Sequence, residues 1–206
     1  FIDRYGYPFC RGRIFDVVEK DCGQYDTITE VMWVTGAALF IRLADYREVG
    51  GLDGHFFAHM EEIDLCWRLS CRGKKLVCIP QSVVYHVGGA TLKKENPRKT
   101  FLNFRNNLLM LYKNLPDKEL EHVLFIRGIL DRVAALVFYL KKDRANARAV
   151  MQARRELEDI RYSFAASRIE NMMKSTDEII PERTHFSIVM KYYLLGKKHF
   201  SQLKLF

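Results

Sequence analysis

The sequence predicts an α/β architecture in residues 1–115 that passes into an α-helical extension over residues 116–206. Three observations carry this. Short runs rich in β-branched and aromatic residues, bounded by Gly and Pro, recur before residue 96. Beyond it, apolar residues three and four apart take over, the period of a helix face. The charge changes as well: residues 1–96 carry 12 Lys and Arg against 13 Asp and Glu, residues 97–206 carry 21 against 12.

Element by element, residues 1–26 hold Arg, Tyr, Gly and Asp with little periodicity and read as extended, partly looped chain. Residues 30–34 read as a strand, Thr35-Gly36-Ala37 as a tight passage, and residues 38–41 as a second strand. A short helix over residues 43–49 should stop at Gly50-Gly51, glycine supplying the left-handed C-terminal conformation. The next helix, over about residues 61–71, places Ile63, Trp67 and Cys71 on one face and ends at Gly73. Residues 75–79 read as a strand stopped by Pro80, and residues 83–87 as another. Asn96 caps and Pro97 opens a helix that runs to Pro116. Two more long helices follow, over about residues 118–141 and 144–161, and then a tail, residues 186–206, of apolar clusters among lysines.

With 49% hydrophobic and 13% aromatic residues, the 206-residue chain can bury a sizeable core and does not read as disordered. The basic surplus of the second half suits a membrane surface or a polyanion. Five cysteines, none in a Cys-x-x-Cys pair, argue for a reducing compartment and against a disulfide framework or zinc. The longest strongly apolar run of the second half, residues 133–140, is well short of the roughly 20 residues a membrane crossing needs. The opening on Phe1, with neither Met nor a leader-like stretch, reads as a piece of a longer protein.

Residues 56–68 are the richest in chemistry: Phe56-Phe57, then Glu61, Glu62 and Asp64 at a helix start. Acidic residues there are also what the helix dipole favours, by about 0.3–1 kcal/mol each. Carboxylates this close raise one another's pKa, so one can act as a general base. Both readings stand. His86 is either a satisfied histidine at a strand end or a ligand whose neighbours Gly88-Gly89 admit a bulky group. Lys93, Lys94, Arg98 and Lys99 are a solvated face or a diphosphate clamp. Arg105, Asn106 and Asn107 interrupt a helix with poor helix formers, which hints at a use. Trp33 and Trp67 read as packing residues, with stacking under a sugar ring open for Trp33.

In order and spacing, Thr35-Gly36-Ala37, Val49-Gly50-Gly51-Leu52-Asp53, Phe56-Phe57, the run Glu61 to Arg68, Gly73, the run Val84 to Thr91 and Arg105-Asn106 resemble the C-terminal part of a bacterial family 2 glycosyltransferase, of the rhamnosyltransferase-like branch. The resemblance covers about residues 31–115. It implies the C-terminal, acceptor-side half of an A-type, Rossmann-like transferase domain, a nucleotide-diphosphate-sugar donor, a divalent metal (Mg2+ or Mn2+) and inversion at the anomeric carbon. By the same resemblance Glu62 is the base, with Glu61 beside it and Asp64 orienting or capping. Thr35, Gly36 and Ala37 are implied beside the donor sugar and acceptor, and His86 on the metal or the diphosphate; Trp33, Arg105 and Asn106 join them as candidates on the substrate side, and Lys93 and Lys94 on the diphosphate.

Two departures stand out. Glu61-Glu62 replaces the Glu-Asp of the family, and no Asp-x-Asp metal motif occurs in the chain. The 206 residues alone are therefore expected to be inactive, with sheet edges open to self-association into a homo-oligomer. The implied acceptor is a glycan or lipid-linked sugar of cell-surface polysaccharide synthesis, met in the cytoplasm or at the inner face of the plasma membrane. The alternative is a basic helical interaction or membrane-binding module carrying a transferase remnant. Nucleic-acid binding is disfavoured, since the positive charge is dispersed along helices that are also rich in acids.

Overall fold

A computed structural model describes residues 1–86, 96–176 and 180–205. It is a mixed helix-and-sheet fold in which helices dominate. The strands form two small antiparallel pairs. In one, β1 (Arg13–Ile14) pairs with β2 (Val17–Val18); in the other, β3 (Thr29–Glu30) pairs with β4 (Val77–Cys78). Among the described residues there is no parallel, Rossmann-like sheet. Of the strand expected over residues 30–34, only its start pairs, continued by one bond from the Val31 N–H to the Leu76 carbonyl at 3.0 Å. The stretches 38–41 and 83–86 are not strands. Strand propensity reports fit on a pleated surface beside a neighbour, and no second strand lies along these residues; Phe40 and Tyr85 are exposed accordingly.

Five helices lie close to their expected places: α1 (Leu43–Glu48), α2 (Glu61–Cys71), α3 (Pro97–Asn114), α4 (Asp117–Leu140) and α5 (Arg144–Ile160). Two more, α6 (Ala165–Met173) and α7 (Ile188–Tyr193), lie where no individual helix was expected. After α1, Gly50 and Gly51 take φ of +80° and +68°, the left-handed turn that ends the helix. The Asn96 side chain accepts from the Arg98 N–H, with Pro97 at the first position of α3.

Helices α3, α5, α4 and α6 pack together, and α2 lies against α3. Their common core joins Met32, Phe56, Ile63, Trp67 and Leu108 to Leu120, Val123, Leu157 and Phe164. The helices beyond residue 116 therefore bury side chains in the same core as residues 1–115. Truncating an aromatic such as Trp67 there should cost about 3–5 kcal/mol. A second core gathers Phe1, Phe9 and Ile14 around Ile188, Phe200 and Leu203. Phe186, Ile188, Val189, Tyr192, Phe200, Leu203 and Leu205 of the tail are thus packed, while Met190, Tyr193, Leu194 and Leu195 stay exposed. Among the described residues no helix is long and apolar enough to cross a membrane.

Candidate active site

The site forms where α2 begins. Upstream, the Asp53 carboxylate accepts from the His55 N–H at 3.0 Å and starts a 3-10 turn, Gly54–Phe56. Then Phe57, His59 and Met60 adopt φ of +63°, +70° and +74°. Side-chain-bearing residues rarely take this conformation, and each costs on the order of 1–3 kcal/mol unless its surroundings impose it. Here they do. Asn106, fully buried on α3, directs its Nδ2 at the carbonyls of Phe56, Ala58 and His59 at 2.8, 2.8 and 2.7 Å. Phe56 is fully buried, with the Lys113 ammonium 5.0 Å from its ring centroid. Met60 is the N-cap of α2 and provides no side-chain cap, so the first turn relies on Glu61, Glu62 and Asp64.

The three acids have different fates. Asp64 is fully buried. Its Oδ2 takes Arg68 Nε at 2.9 Å, Arg68 Nη2 at 2.8 Å and Lys113 Nζ at 3.0 Å, and its Oδ1 takes Asn114 Nδ2 at 2.8 Å. Arg68 also donates to the carbonyls of Val49 and Gly51, and Lys113 reaches Asp53 at 2.8 Å. Asp64 thus ties the Val49-to-Asp53 turn, α2 and α3 together. Among the described residues its side chain caps no backbone N–H; its partners are Arg68, Lys113 and Asn114.

Glu62 differs in every respect. Its Oε2 is buried without a hydrogen-bond partner. Burial, and after it the like charge of Glu61, push its carboxyl upward against the backbone N–H groups at the helix start. Glu61 Oε2 is likewise buried and unpartnered. Glu62 borders a cavity of about 200 Å³ shared with Trp33, His59, Asn103, Arg13 and Phe15. Gly36 stands over it: a Cβ added there would lie 3.8 Å from Glu62 Cβ. The turn is held by Thr35, whose Oγ1 accepts from the Ala37 N–H at 3.5 Å. Trp33, fixed by its Nε1 donating to the Phe1 carbonyl at 2.8 Å, also borders a groove of about 610 Å³ that includes Thr35 and Ala38.

Of the expected substrate-side residues, Trp33, Thr35, Gly36 and Ala37 gather near Glu62. Arg105 and Asn106 do not face that cavity. Arg105 bridges Glu156 at 3.4 Å and the His55 carbonyl at 3.3 Å, and Asn106 is spent on the strained loop. Both side chains hold the loop in place. His86 is exposed and does not line the Glu62 cavity. Lys93, Lys94 and Gly88-Gly89 lie outside the described residues. No group of three or more His, Cys, Asp or Glu side chains among the described residues converges on a metal position.

Two contributors went unassigned in the sequence. His59 faces the cavity with its Nε2 buried and unpartnered, and burial followed by the Lys99 charge pushes its pKa down, which favours the neutral ring. Asn103 comes from the exposed-looking side of α3. A histidine two residues before the acid pair was the available signal for His59; its left-handed backbone, which decides where the ring points, leaves no mark in composition.

The arrangement can hold a polar ligand beside an aromatic wall and take a proton from it at Glu62. No family model and no solved structure matches the chain. Curated relatives do. Rhamnosyltransferase WbbL of Escherichia coli K12 is 33% identical over 69 residues, 34% of this chain and 25% of that protein. N-acetylglucosaminyl-diphospho-decaprenol L-rhamnosyltransferase of Mycobacterium tuberculosis H37Rv is 38% identical over 56 residues, 27% of this chain and 18% of that protein. Pre-mycofactocin glycosyltransferase of the same organism is 30% identical over 141 residues, 63% of this chain and 29% of that protein. The chain therefore spans under a third of the length of these relatives. It is similar to a part of bacterial glycosyltransferases, rhamnosyltransferases among them.

Proposed function

We propose that the chain carries the acceptor side of an inverting glycosyltransferase, one that moves a sugar, rhamnose first among candidates, from a nucleotide-diphosphate donor. The observation that carries this reading is the half-buried Glu62 carboxylate, one oxygen of which is buried without a hydrogen-bond partner, at the edge of a cavity with an aromatic wall. The acceptor hydroxyl donates to Glu62. As its proton passes to the carboxylate, its oxygen attacks the anomeric carbon, and the bond to the diphosphate breaks on the opposite face with the electron pair leaving on phosphate. A carboxyl raised from its ordinary range accepts that proton more readily near neutral pH. His59, neutral, and Asn103 orient the acceptor, and Trp33 offers its ring to the sugar.

The name of one relative, an N-acetylglucosaminyl-diphospho-decaprenol rhamnosyltransferase, supports a lipid-linked acceptor; a glycan acceptor, cell-surface polysaccharide synthesis and a cytoplasmic protein attached to the inner face of the membrane belong to the same proposal. A divalent cation, Mg2+ or Mn2+, belongs to the proposal for the complete enzyme, with His86 as this chain's contribution and Lys93 and Lys94 on the diphosphate. The described residues do not by themselves form a cation site, and no step above passes through one. The test is incubation of the complete enzyme with nucleotide-diphosphate rhamnose and a polyprenyl-diphosphate-linked acceptor. A transferred sugar of inverted configuration is expected. A retained configuration would overturn the mechanism, and absence of transfer from any nucleotide sugar would overturn the function.

A further inference from the structure

Helix α4 turns two opposite faces to its surroundings. Leu120, Val123, Arg127, Asp131 and Ala135 are buried against the other helices. Phe125, Ile129, Val133, Leu136 and Leu140 are exposed, Phe125 by 68% and Leu140 by 71%. At 3.6 residues per turn these five lie within about 80° of arc and form a stripe roughly 22 Å long, directly away from the core. Stripes of this kind mark an interaction surface.

The charges around the stripe say what covers it. At its C-terminal end stand Lys141, Lys142, Arg144 and Arg148, all exposed, and Arg132 stands along its edge. Arg144 also sits 5.7 Å from the Tyr139 ring centroid. Nearby acids are already used: Asp131 is buried between Arg127 and Arg154, and Asp143 caps α5 by accepting from the Asn146 N–H at 3.1 Å. A second copy packed antiparallel would need the acidic start of α4 to meet this basic end. There, Asp117 is engaged by Arg168 and Glu119 by Arg183, which leaves Glu121. An apolar face with a collar of cations and hardly a free acid fits an anionic lipid surface better than a copy of itself.

We propose that the exposed face of α4, from Phe125 to Leu140, with the cations at 141, 142, 144 and 148, lies on an anionic phospholipid bilayer. This deepens the peripheral attachment proposed above and depends on it, though not on the sugar-transfer chemistry. The test is flotation of the protein with phosphatidylcholine vesicles, with and without phosphatidylglycerol. Wild type should float with the anionic vesicles and lose binding as salt rises. Leu136→Asp/Leu140→Asp and Lys141→Glu/Lys142→Glu should each weaken binding by at least about tenfold, with unchanged circular dichroism and urea midpoint. Binding by wild type and both variants alike would overturn the surface and leave attachment standing. No binding by wild type would overturn both. Concentration-dependent dimerisation abolished by Leu136→Asp/Leu140→Asp, without vesicle binding, would assign the face to a second copy and overturn the proposal.

Discussion

The Asn106 amide donates to the His59 carbonyl at 2.7 Å, and through this contact α3 fixes the loop that delivers Glu62 to the cavity. The same nitrogen serves the Phe56 and Ala58 carbonyls. Asn106→Ala should leave buried carbonyls unsatisfied and release a loop with three left-handed residues. A loss of about 2–4 kcal/mol in urea unfolding is expected, at about 1–3 kcal/mol for each buried group left unsatisfied. Transfer should fall too, because the loop precedes Glu62. A loss under about 0.5 kcal/mol would show that the loop holds itself.

Asp64 makes a separate prediction. Its carboxylate neutralises Arg68 and shares Lys113 with Asp53 in the interior. Asp64→Ala should cost about 3–5 kcal/mol, because an unpaired cation would remain buried. Glu61→Gln, by contrast, should change stability little and should lower the Glu62 pKa, since it removes the like charge that raises it. A shift of the acid limb of the pH–rate profile to lower pH would show this.

Gly51 combines φ of +68° with a close neighbour: a Cβ there would lie 2.8 Å from the Tyr46 ring. Gly51→Ala should destabilise by about 1–3 kcal/mol. Gly50, with φ of +80° and open space around it, should lose less on the same substitution. Equal costs at the two positions would mean that backbone conformation alone decides.

Two carboxylates should give opposite slopes of stability with pH. Burial opposes the charge on Asp53, but Lys113 and the His55 N–H outweigh it and bring the pKa to about 2, below the ordinary 3.8. Its contribution is present above about pH 4 and lost as pH falls toward 2, worth about 1–2 kcal/mol after allowance for solvent screening. Asp3 is fully buried and raised to about 6, although the N–H groups of Tyr7, Ile188 and Tyr5 and the charge of Arg127 pull it down. The folded chain holds that proton more tightly, so this group removes stability as pH rises from about 4 to 6. Asp53→Asn should flatten the acid side of the urea-midpoint curve, and Asp3→Asn should remove the fall in stability between pH 4 and 6. The reverse assignment would refute the electrostatic account.

Much of this was legible in the chain. Gly50-Gly51, Asn96-Pro97 and the apolar spacing of Ile63 and Trp67 placed the helices, because local signals of cap, turn and period act within a few residues. The stretches 38–41 and 83–86 were misread as strands, because pairing needs a neighbour that spacing cannot supply. The acid pair at the head of α2 marked the site. Which acid is tied down is not legible: Asp64 and Glu62 are two residues apart, and only the partners brought by α3, Lys113 and Asn114, separate the engaged carboxylate from the one with an unpartnered oxygen. The His59 ring in the cavity and the Asn106 bonds to the loop are not legible for the same reason, since they depend on backbone angles and on contacts across about fifty residues of sequence.

The central claim is that Glu62 takes the acceptor's proton, and the turnover of Glu62→Gln in the complete enzyme tests it most directly. Glutamine keeps the shape and removes the base, and it also relieves the burial and like-charge penalty on the carboxylate. Transfer should fall by about 10²–10⁴-fold, with donor binding intact and thermal stability equal or higher. Turnover within about twofold of wild type would contradict the account.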